Sequence, residues 1–364
     1  MNTNNDSVLD VNVSEREDKK IREREKYLSH IGITLTEKCN INCRHCIVDC
    51  NSISKNEWNG NSLNRLIKQI RLTNLVNTIG FTGGEPFLDF ERLKNAVIQC
   101  TVLGINTSVV TNGYWASDSN IAQNMLNILK GLSKIAVSTD KFHREFISIQ
   151  NVKNIIKIAN ENEIKCQIRV SHLNDPIGEI GEITQHLSKF EGKYELTSQP
   201  VQYFGRAATH LERRQLYSYE ALSLACRTAD RVLFLTSGEV LACCGPQDSI
   251  AKGHPLWLGD IGKDSVEKIF ERADTNPIIH IIRLWGPGEL VRILEEQAKR
   301  ENISIPPPTL EETREICSLC RYVLDSDVKL KLLNSAIREQ NLTHAIAAAR
   351  LLNFAETSMI LHEE

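Results

Sequence analysis

The segment TEKCNINCRHCIVDC (36–50) contains Cys39, Cys43 and Cys46 in the spacing C-x3-C-x2-C. It directly follows the apolar run IGITL (31–35), whose pattern predicts a short buried strand. A loop with this cysteine spacing can place three thiolates around one face of an iron-sulfur cubane. The fourth iron would then stay open to a substrate or a cofactor.

His45 and Cys50 leave a structural zinc site open as the alternative for this loop. A closed zinc site needs four ligands, and either side chain could complete the set. Such sites usually pair two C-x2-C units, whereas this segment contains one, so the spacing favours the iron-sulfur interpretation.

Downstream of the cysteine segment, helix-like and strand-like runs alternate. The helical pattern SLNRLIKQIRLTN (62–74) leads to LVNTIGF (75–81), which completes a β-α-β unit with IGITL. Six strands in this alternation predict an α/β fold with a parallel sheet, either open or curled into a partial barrel. In such sheets the chemistry takes place at the carboxyl ends of the strands. The other predicted strands are INTSVVT (105–111), KIAVST (134–139), IKCQIRV (164–170) and YELTSQPVQ (194–202).

The second predicted strand ends in FTGGEPFLD (81–89), which places Gly83, Gly84, Glu85 and Pro86 at the expected active-site edge. Glycines let the backbone approach a ligand closely, and a neighbouring carboxylate can hold an ammonium group. A plain turn is the alternative for a short Gly-Pro segment. The position of this one, a single strand after the three cysteines, favours a functional role.

A second group of cysteines lies in the last third of the chain. Cys226 and Cys243 enclose Gly238 in the pattern C-x11-G-x4-C, and ICSLC supplies Cys317 and Cys320. Four thiolates in two groups could ligate a second iron-sulfur cluster. Zinc is a stronger alternative here, because a C-x2-C unit in a four-cysteine site is also the zinc-ribbon arrangement.

The segment VLACCGP (240–246) contains two adjacent cysteines, Cys243 and Cys244. Neighbouring side chains of an extended backbone point to opposite faces, so the two sulfurs cannot easily serve one centre. If Cys243 binds a cluster, Cys244 is left over. Inert packing is the alternative role for such a cysteine, since free cysteine is readily buried.

The composition argues against several classes of function. The formal net charge is only −3 and the chain has no long basic block, so nucleic acid is not the expected partner. Residues 1–28 lack the apolar core of an export signal, and no later run is long enough to span a membrane. We therefore expect a cytoplasmic protein, in which the eleven cysteines serve metal binding or chemistry rather than disulfides.

The cysteine segment and GGEP together resemble the radical SAM superfamily. The resemblance implies a partial (β/α)6 barrel in which Cys39, Cys43 and Cys46 ligate a [4Fe-4S] cluster. S-adenosylmethionine would bind the open iron and give a 5′-deoxyadenosyl radical on reductive cleavage. It also implies that His45 contacts the adenine and that residues 83–86 hold the methionyl ammonium. Further candidates for cofactor contacts follow the later strands: Asn112, Ser138, Asp140 and Arg169.

The second cysteine group resembles the cluster-binding motif of SPASM and twitch domains. No cysteine follows Cys320, so the later cysteines of a full SPASM domain are absent. The resemblance implies one auxiliary [4Fe-4S] cluster in a small twitch-like domain. Its implied ligands are Cys226, Cys243, Cys317 and Cys320.

The ordered motifs between residues 31 and 325 most resemble the radical SAM epimerases that make epipeptides. These include CRHCIVDC, STDKFHREF, ACRTAD, GEVLACCGP and ICSLC. The resemblance implies removal of a Cα hydrogen from an L-residue of a ribosomally made precursor peptide. A cysteine thiol would return hydrogen from the opposite face to give the D-residue. By motif, Cys244 is the donor and Asp230 is a polar residue of the same site; flavodoxin or ferredoxin would supply electrons.

Two other functions stay open, and one residue has no assigned role. Radical SAM maturases that form thioether or carbon-carbon cross-links share nearly all of these motifs. A zinc-stapled binding protein without catalysis is the remote alternative. Arg206, in QPVQYFGRAATH, has no assigned role.

The predicted organisation is a barrel followed by an auxiliary domain and helices. The stretch 266–302 is predicted to be helical, SIPPPT (304–309) interrupts the pattern, and 327–360 is predicted to be a closing helical pair. The predicted boundaries are 1–28 for a charged, disordered extension, 29–215 for the barrel, 216–325 for the auxiliary-cluster domain and 326–364 for a helical tail.

Overall fold

The computed structural model describes residues 27–54, 56–173, 175–188, 190–212, 225–340 and 342–350. Its strands are β1 (His30–Thr36), β2 (Thr78–Gly83), β3 (Asn106–Thr111), β4 (Leu132–Ser138), β5 (Lys165–His172), β6 (Glu195–Pro200), β7 (Leu233–Phe234), β8 (Glu239–Leu241) and β9 (Trp257–Asp260). They form one sheet in the order β6-β5-β4-β3-β2-β1-β7-β8-β9.

The first six strands are parallel neighbours, each joined to the next by a helix-containing connection. This confirms the predicted α/β class and all six predicted strands. The connecting helices are α1 (Ser62–Leu72), α2 (Phe90–Val102), α3 (Ser119–Ile128), α4 (Ile149–Glu161) and α5 (Pro176–Leu187), and the short α6 (Arg206–His210) follows β6.

Apolar side chains of the central strands fix this arrangement. Ile31, Ile33 and Leu35 of β1 and Ile79 and Phe81 of β2 have no exposed surface. Helices covering a parallel sheet bury its apolar residues, which gives the largest favourable contribution to folding. The core therefore lies between the sheet and its helices, and the polar carboxyl ends of the strands are left for the site.

The sheet continues beyond β1 into the second half of the chain. β7 pairs parallel to β1, with Gly32 opposite Leu233, while β8 pairs antiparallel to β7 and β9 antiparallel to β8. A single sheet thus crosses the predicted boundary between 29–215 and 216–325. It brings the segment that contains Cys243 and Cys244 next to the six-stranded part, and the boundary itself stays a prediction.

The predicted helical stretch 266–302 consists of three helices rather than one. The first break lies at Asn276, whose side chain caps the next helix, and the second lies at Gly286, where φ is 85°. Each break is followed by a proline, which begins a helix more readily than it continues one. The helices of this half are α7 (Val266–Thr275), α8 (Pro277–Trp285), α9 (Pro287–Arg300), α10 (Ile316–Leu324) and α11 (Asp327–Glu339).

The ends of the chain agree in part with prediction. A helix spans 342–350 after α11, while the rest of the predicted pair, like residues 1–26, lies outside the described residues. Tyr27 and Leu28, the last residues of the predicted extension, are buried at 2% and 7% exposure and pack into the main core. None of the helices in the described ranges combines the length and apolar character needed to cross a bilayer.

Candidate active site

The three-cysteine loop leaves the carboxyl end of β1 and folds back on itself. Cys39 and Cys43 are buried and Cys46 is half-buried. The amide of Cys39 donates to Asn51 O at 3.0 Å, and the amide of Cys46 donates to Cys43 O at 3.2 Å. The first bond joins the two ends of the loop and the second forms a turn inside it, so one short segment presents all three thiols.

The GGEP segment needs its two glycines because the backbone of the cysteine loop approaches it closely. The amide of Gly84 donates to Thr36 O at 2.8 Å, and that of Glu85 donates to Lys38 O at 2.8 Å. A Cβ atom on Gly83 would lie 2.1 Å from Thr36 O, and one on Gly84 would lie 2.1 Å from Lys38 O. The GGEP segment is therefore a backbone clamp on the start of the cysteine loop.

The Glu85 carboxyl group is fully enclosed by the protein. Its Oε1 accepts from Thr111 Oγ1 at 2.8 Å and from the Phe87 amide at 3.1 Å, and its Oε2 accepts from the Asn112 amide at 2.7 Å. Burial raises the pKa of Glu85 to about 7, although these bonds oppose the shift. The sequence predicted a carboxylate that holds a ligand's ammonium group; in the structure two of its three donors, Thr111 and Asn112, come from the end of β3, and the third is the Phe87 amide.

The raised pKa of Glu85 predicts a pH dependence of stability in the chain free of cluster and cofactor. Between pH about 4.5 and about 7 the folded chain keeps a proton that the unfolded chain loses, so the free energy of unfolding falls as pH rises. It levels off outside this window. Glu85→Gln should remove this slope, which thermal unfolding at several pH values measures. Equal slopes in variant and parent would show that Glu85 ionises normally.

Asn112, at the end of β3, connects GGEP to the cysteine loop. Its Nδ2 donates to Asn40 Oδ1 at 3.0 Å and lies 3.9 Å from Cys39 Sγ. Its Oδ1 accepts from the Tyr114 amide at 3.0 Å. A predicted cofactor contact thus lies within contact distance of a predicted cluster ligand.

His45 and Asp140 are brought together beside the loop by the turn after β4. The His45 ring stacks on Phe142 with centroids 4.5 Å apart, and its Nε2 is 3.9 Å from Asp140 Oδ2. Asp140 accepts from the amides of Phe142 and His143 at 3.0 Å each and from Ser171 N at 3.1 Å. Burial alone would raise the pKa of Asp140, but His143 and the hydrogen bonds hold it well below the ordinary value.

One nitrogen of His45 has no partner within the described part of the chain. Burial lowers the pKa of His45 to about 4, so the ring is neutral, and its Nδ1 is buried without a hydrogen bond. The potential ligand atoms of Cys43, His45 and His143 also lie within 4.8 Å of one another. The zinc alternative for this loop would therefore use His143, which the sequence did not predict.

The remaining predicted cofactor contacts occupy neighbouring positions. Pro86 is buried and begins a 3-10 turn, Pro86–Asp89. Ser138 ends β4 and is the register partner of Arg169 on β5, which donates from Nη2 to Gln199 Oε1 on β6 at 3.1 Å. Ser138 and Arg169 thus lie at the same edge of the sheet as the loops after β1, β2 and β3.

The four cysteines of the second group converge from three parts of the chain. All four line one small cavity of about 40 Å³ whose other walls are mainly apolar. Cys243 Sγ and Cys317 Sγ both face Gly245, at 3.5 and 3.7 Å from the position of a Cβ there. Cys317 and Cys320 are one turn apart on α10, so a single helix face presents both sulfurs.

Cys243 and Cys244 face different surroundings. Cys243 lines the four-cysteine cavity, whereas Cys244 does not and lies with its Sγ 3.9 Å from Thr228 O. Burial raises the pKa of the Cys244 thiol, and the positive charges of Arg231 and Arg169 oppose the shift. Asp230 ends the 3-10 turn Arg227–Asp230, and its side chain lies outside the described residues.

A larger cavity of about 780 Å³ lies between α6 and α10. Its lining includes Asp49, Arg206, His210 and Arg321. None of the predicted site residues whose side chains are described lines it, but Asp49 belongs to the cysteine loop and Arg206 binds that loop.

Both cysteine groups fit the iron-sulfur clusters that the sequence implies. The first offers three thiols on one loop beside a buried histidine nitrogen without a partner, and the second offers four thiols around one cavity. Thiolates are the ligands that such clusters use, and burial of these thiols removes competing water.

Three residues at the site were missed by sequence analysis. Thr111 binds Glu85, His143 binds Asp140, and Arg206 binds the cysteine loop. His143 stands three residues after Asp140, which is a local signal for an acid-histidine pair. Thr111 and Arg206 act across long sequence separations, and no local pattern indicates such contacts.

Comparison with family models decides the identity of the barrel. Residues 33–187 match the model described as Radical SAM superfamily. The chain contains a radical SAM domain. The matched region spans the cysteine loop, GGEP and the ends of β3, β4 and β5, and family membership implies S-adenosylmethionine and one [4Fe-4S] cluster.

Similar proteins match the chain over most of its length or over a part of it. YydG of Bacillus subtilis (strain 168), whose name assigns it to peptide biosynthesis, is 24% identical over 311 residues, covering 84% of this chain and 94% of YydG. An S-adenosylmethionine-dependent nucleotide dehydratase of Selenomonas ruminantium is 30% identical over 151 residues, covering 39% of this chain and 48% of that protein.

Two solved structures show a more distant likeness. BtrN in complex with AdoMet and 2-DOIA gives a TM-score of 0.45 at 15% identity, covering 72% of this chain and 89% of BtrN. Streptococcus suis SuiB bound to precursor peptide SuiA gives 0.44 at 14% identity, covering 79% of this chain and 75% of SuiB.

Proposed function

We propose that this radical SAM protein is a peptide epimerase that converts L-residues of a ribosomally made precursor peptide into D-residues. In this proposal Cys244 returns a hydrogen atom to the Cα radical, and Cys226, Cys243, Cys317 and Cys320 hold one auxiliary [4Fe-4S] cluster.

The peptide substrate is supported by the relative that matches most of the chain. YydG aligns over 84% of this chain and 94% of its own length. Its name assigns it to peptide biosynthesis, and we extend that substrate class to this chain.

The observation that supports epimerisation is that the two adjacent cysteines, Cys243 and Cys244, have different surroundings. Cys243 lines the four-cysteine cavity, while Cys244 lies outside that lining and within electrostatic reach of Arg169. Inversion needs hydrogen removal from one face of the Cα atom and return to the other. In this proposal the Cys244 thiol, next to the proposed cluster ligand Cys243, returns the hydrogen atom on the face opposite to the one from which it was removed.

Each half of the reaction uses residues of this chain. When bound, the site cluster and S-adenosylmethionine supply a 5′-deoxyadenosyl radical that abstracts hydrogen. Cys39, Cys43 and Cys46 would hold the cluster, the GGEP segment and Asn112 would fix the loop and hold the methionyl group, and the His45 ring would contact the adenine. Ser138, Asp140 and Arg169 complete the cofactor side, and Asp230 is assigned to the peptide side.

The protonation of Cys244 suits a hydrogen-atom donor. A donor must be a thiol rather than a thiolate, and burial raises the pKa of Cys244 above its ordinary value. After donation, the sulfur radical needs one electron and one proton to become a thiol again. A one-electron carrier such as flavodoxin or ferredoxin would supply that electron and the one consumed in cofactor cleavage.

The auxiliary cluster predicts a specific iron content. Anaerobically reconstituted protein should hold about eight irons, and Cys317→Ala should lower this to about four, because one of two cubanes loses a ligand. Cys100→Ala is the matched control, since Cys100 is a buried thiol of α2 away from both cysteine groups. Iron analysis measures both variants. Four irons in the parent protein, or stoichiometric zinc, would contradict the second cluster.

Turnover of a candidate precursor peptide tests the reaction. After anaerobic incubation with S-adenosylmethionine and a reductant in ordinary water, we expect a product of unchanged mass that contains D-residues on chiral amino-acid analysis. A product lighter by two hydrogens, with all residues in the L form, would identify a cross-linking maturase and overturn the epimerase proposal.

A further inference from the structure

We propose that Arg206 is a positioning residue for the site cluster. Its side chain holds the segment between Cys43 and Cys50 in its cluster-binding shape and places a positive charge against that segment. This inference rests on the radical SAM domain and is independent of whether the peptide product is an epimer or a cross-link.

The Arg206 guanidinium binds the cysteine loop at three points. Its Nε donates to Cys43 O at 3.1 Å, its Nη2 donates to Cys50 O at 2.8 Å, and its Nη1 pairs with Asp49 Oδ1 at 2.7 Å. The three acceptors lie 156 to 163 residues away in sequence. A planar guanidinium donates in several fixed directions at once, which a single ammonium group cannot reproduce.

The backbone at the start of α6 adds a fourth contact. The Arg206 amide donates to Cys46 O at 2.9 Å. Gly205, with φ of 54°, allows this approach, because a Cβ there would lie 2.7 Å from both Cys46 O and Ile47 O. Arg206 therefore contacts the loop at Cys43, Cys46, Asp49 and Cys50, which brackets two of the three cluster ligands.

The charge of Arg206 lies against the cysteine loop, because its guanidinium group contacts the backbone carbonyls of Cys43 and Cys50. The Arg206 side chain is only 12% exposed, while its partner Asp49 is 61% exposed, so water screens the carboxylate more than the guanidinium.

A buried positive charge near an iron-sulfur cluster favours the more negatively charged, reduced state. The potential of such clusters depends on net charge and on hydrogen bonds around the ligands. Arg206 should therefore make the site cluster easier to reduce, and reduction precedes cofactor cleavage. Its geometric role and its charge can be separated by substitution.

The experiment compares Arg206→Lys and Arg206→Gln with Arg272→Gln as the matched control. Arg272 makes a similar pair of bonds, to Leu258 O at 2.8 Å and Asp264 Oδ1 at 2.7 Å, but on α7. After anaerobic reconstitution, the iron content of each variant is measured. A redox titration then gives the midpoint potential of the cluster whose spectroscopic signal, in the reduced state, changes when S-adenosylmethionine is added. That response identifies the cluster with the open iron.

We expect Arg206→Gln to lose part of the iron and to shift the midpoint potential of the remaining site cluster to more negative values. Arg206→Lys should also lose iron, because it cannot reach all three acceptors, but should keep a potential close to that of the parent. Arg272→Gln should match the parent in both. Full iron content and an unchanged potential in Arg206→Gln would overturn the proposal.

Two further results would also decide the proposal. Iron loss in Arg206→Gln with an unchanged potential would overturn the role of the charge. If Arg206→Gln does not fold, Arg206→Lys decides, because a parent-like iron content in that variant would overturn the positioning role. Neither readout depends on the peptide product, so failure here is distinguishable from failure of the epimerase proposal.

Discussion

Cys244→Ser is expected to abolish formation of the D-residue while 5′-deoxyadenosine still accumulates. Serine preserves the size and hydrogen bonding of the side chain, but an O-H bond is too strong to give a hydrogen atom to a Cα radical. We expect product formation to fall by at least about 100-fold, which corresponds to a barrier increase of about 2.7 kcal/mol. Chiral analysis of the peptide and quantification of 5′-deoxyadenosine in one reaction measure the two steps separately.

The control for this prediction is a buried thiol in the six-stranded parallel part of the sheet. Cys166 is buried on β5, two strands away in sheet order from the end of β3, and is assigned no chemical role. Cys166→Ser should retain epimerisation in the fraction that folds. Normal D-residue formation by Cys244→Ser would show that Cys244 is not the hydrogen donor. Loss of both the D-residue and 5′-deoxyadenosine would show that Cys244 acts in cofactor cleavage instead.

Gly84→Ala is expected to destabilise the barrel and to prevent loading of the site cluster. The added Cβ would lie 2.1 Å from Lys38 O and 2.5 Å from Lys38 C, and both are backbone atoms that no rotamer change can move. The loop must shift, which breaks the bonds from Gly84 and Glu85 to it. Overpacking against backbone costs about 3 kcal/mol or more, and the displaced loop contains Cys39. Thermal unfolding of the cluster-free chain and iron analysis measure these effects.

Gly181→Ala is the matched control for that substitution. Gly181 lies on the exposed side of α5, and a Cβ there would have no atom within 4 Å. Alanine is the better helix former by about 1 kcal/mol, so this variant should be as stable as the parent or slightly more stable. A Gly84→Ala protein with the stability and iron content of the parent would show that the loop is not clamped by GGEP.

The fold was largely predictable because its strands and helices have local patterns. Runs of Ile, Val and Phe between amphipathic helices predict a parallel sheet, and the family match agrees. The breaks at Asn276 and Gly286 also had local signals, since each precedes a proline. The continuation of the sheet from β1 into β7 had none, because pairing of Gly32 with Leu233 depends on distant segments.

The candidate site was predictable in its chemistry and less so in its contacts. Cysteine spacing indicates thiolate ligands, and the structure brings the four later cysteines around one cavity. The enclosure of Glu85 could not be predicted, since its donors Thr111 and Asn112 follow a different strand. The role of Arg206 could not be predicted for the same physical reason, because its acceptors in the cysteine loop are more than 150 residues away.

The most direct test of the proposed epimerase is turnover of the precursor peptide in heavy water. The Cys244 thiol exchanges its proton with solvent, so a hydrogen returned from it should be deuterium. We expect each inverted residue to be one mass unit heavier, with the label at the Cα atom of the D-residue. An inverted residue without deuterium would contradict an exchangeable donor, and a product lighter by two hydrogens would contradict epimerisation itself.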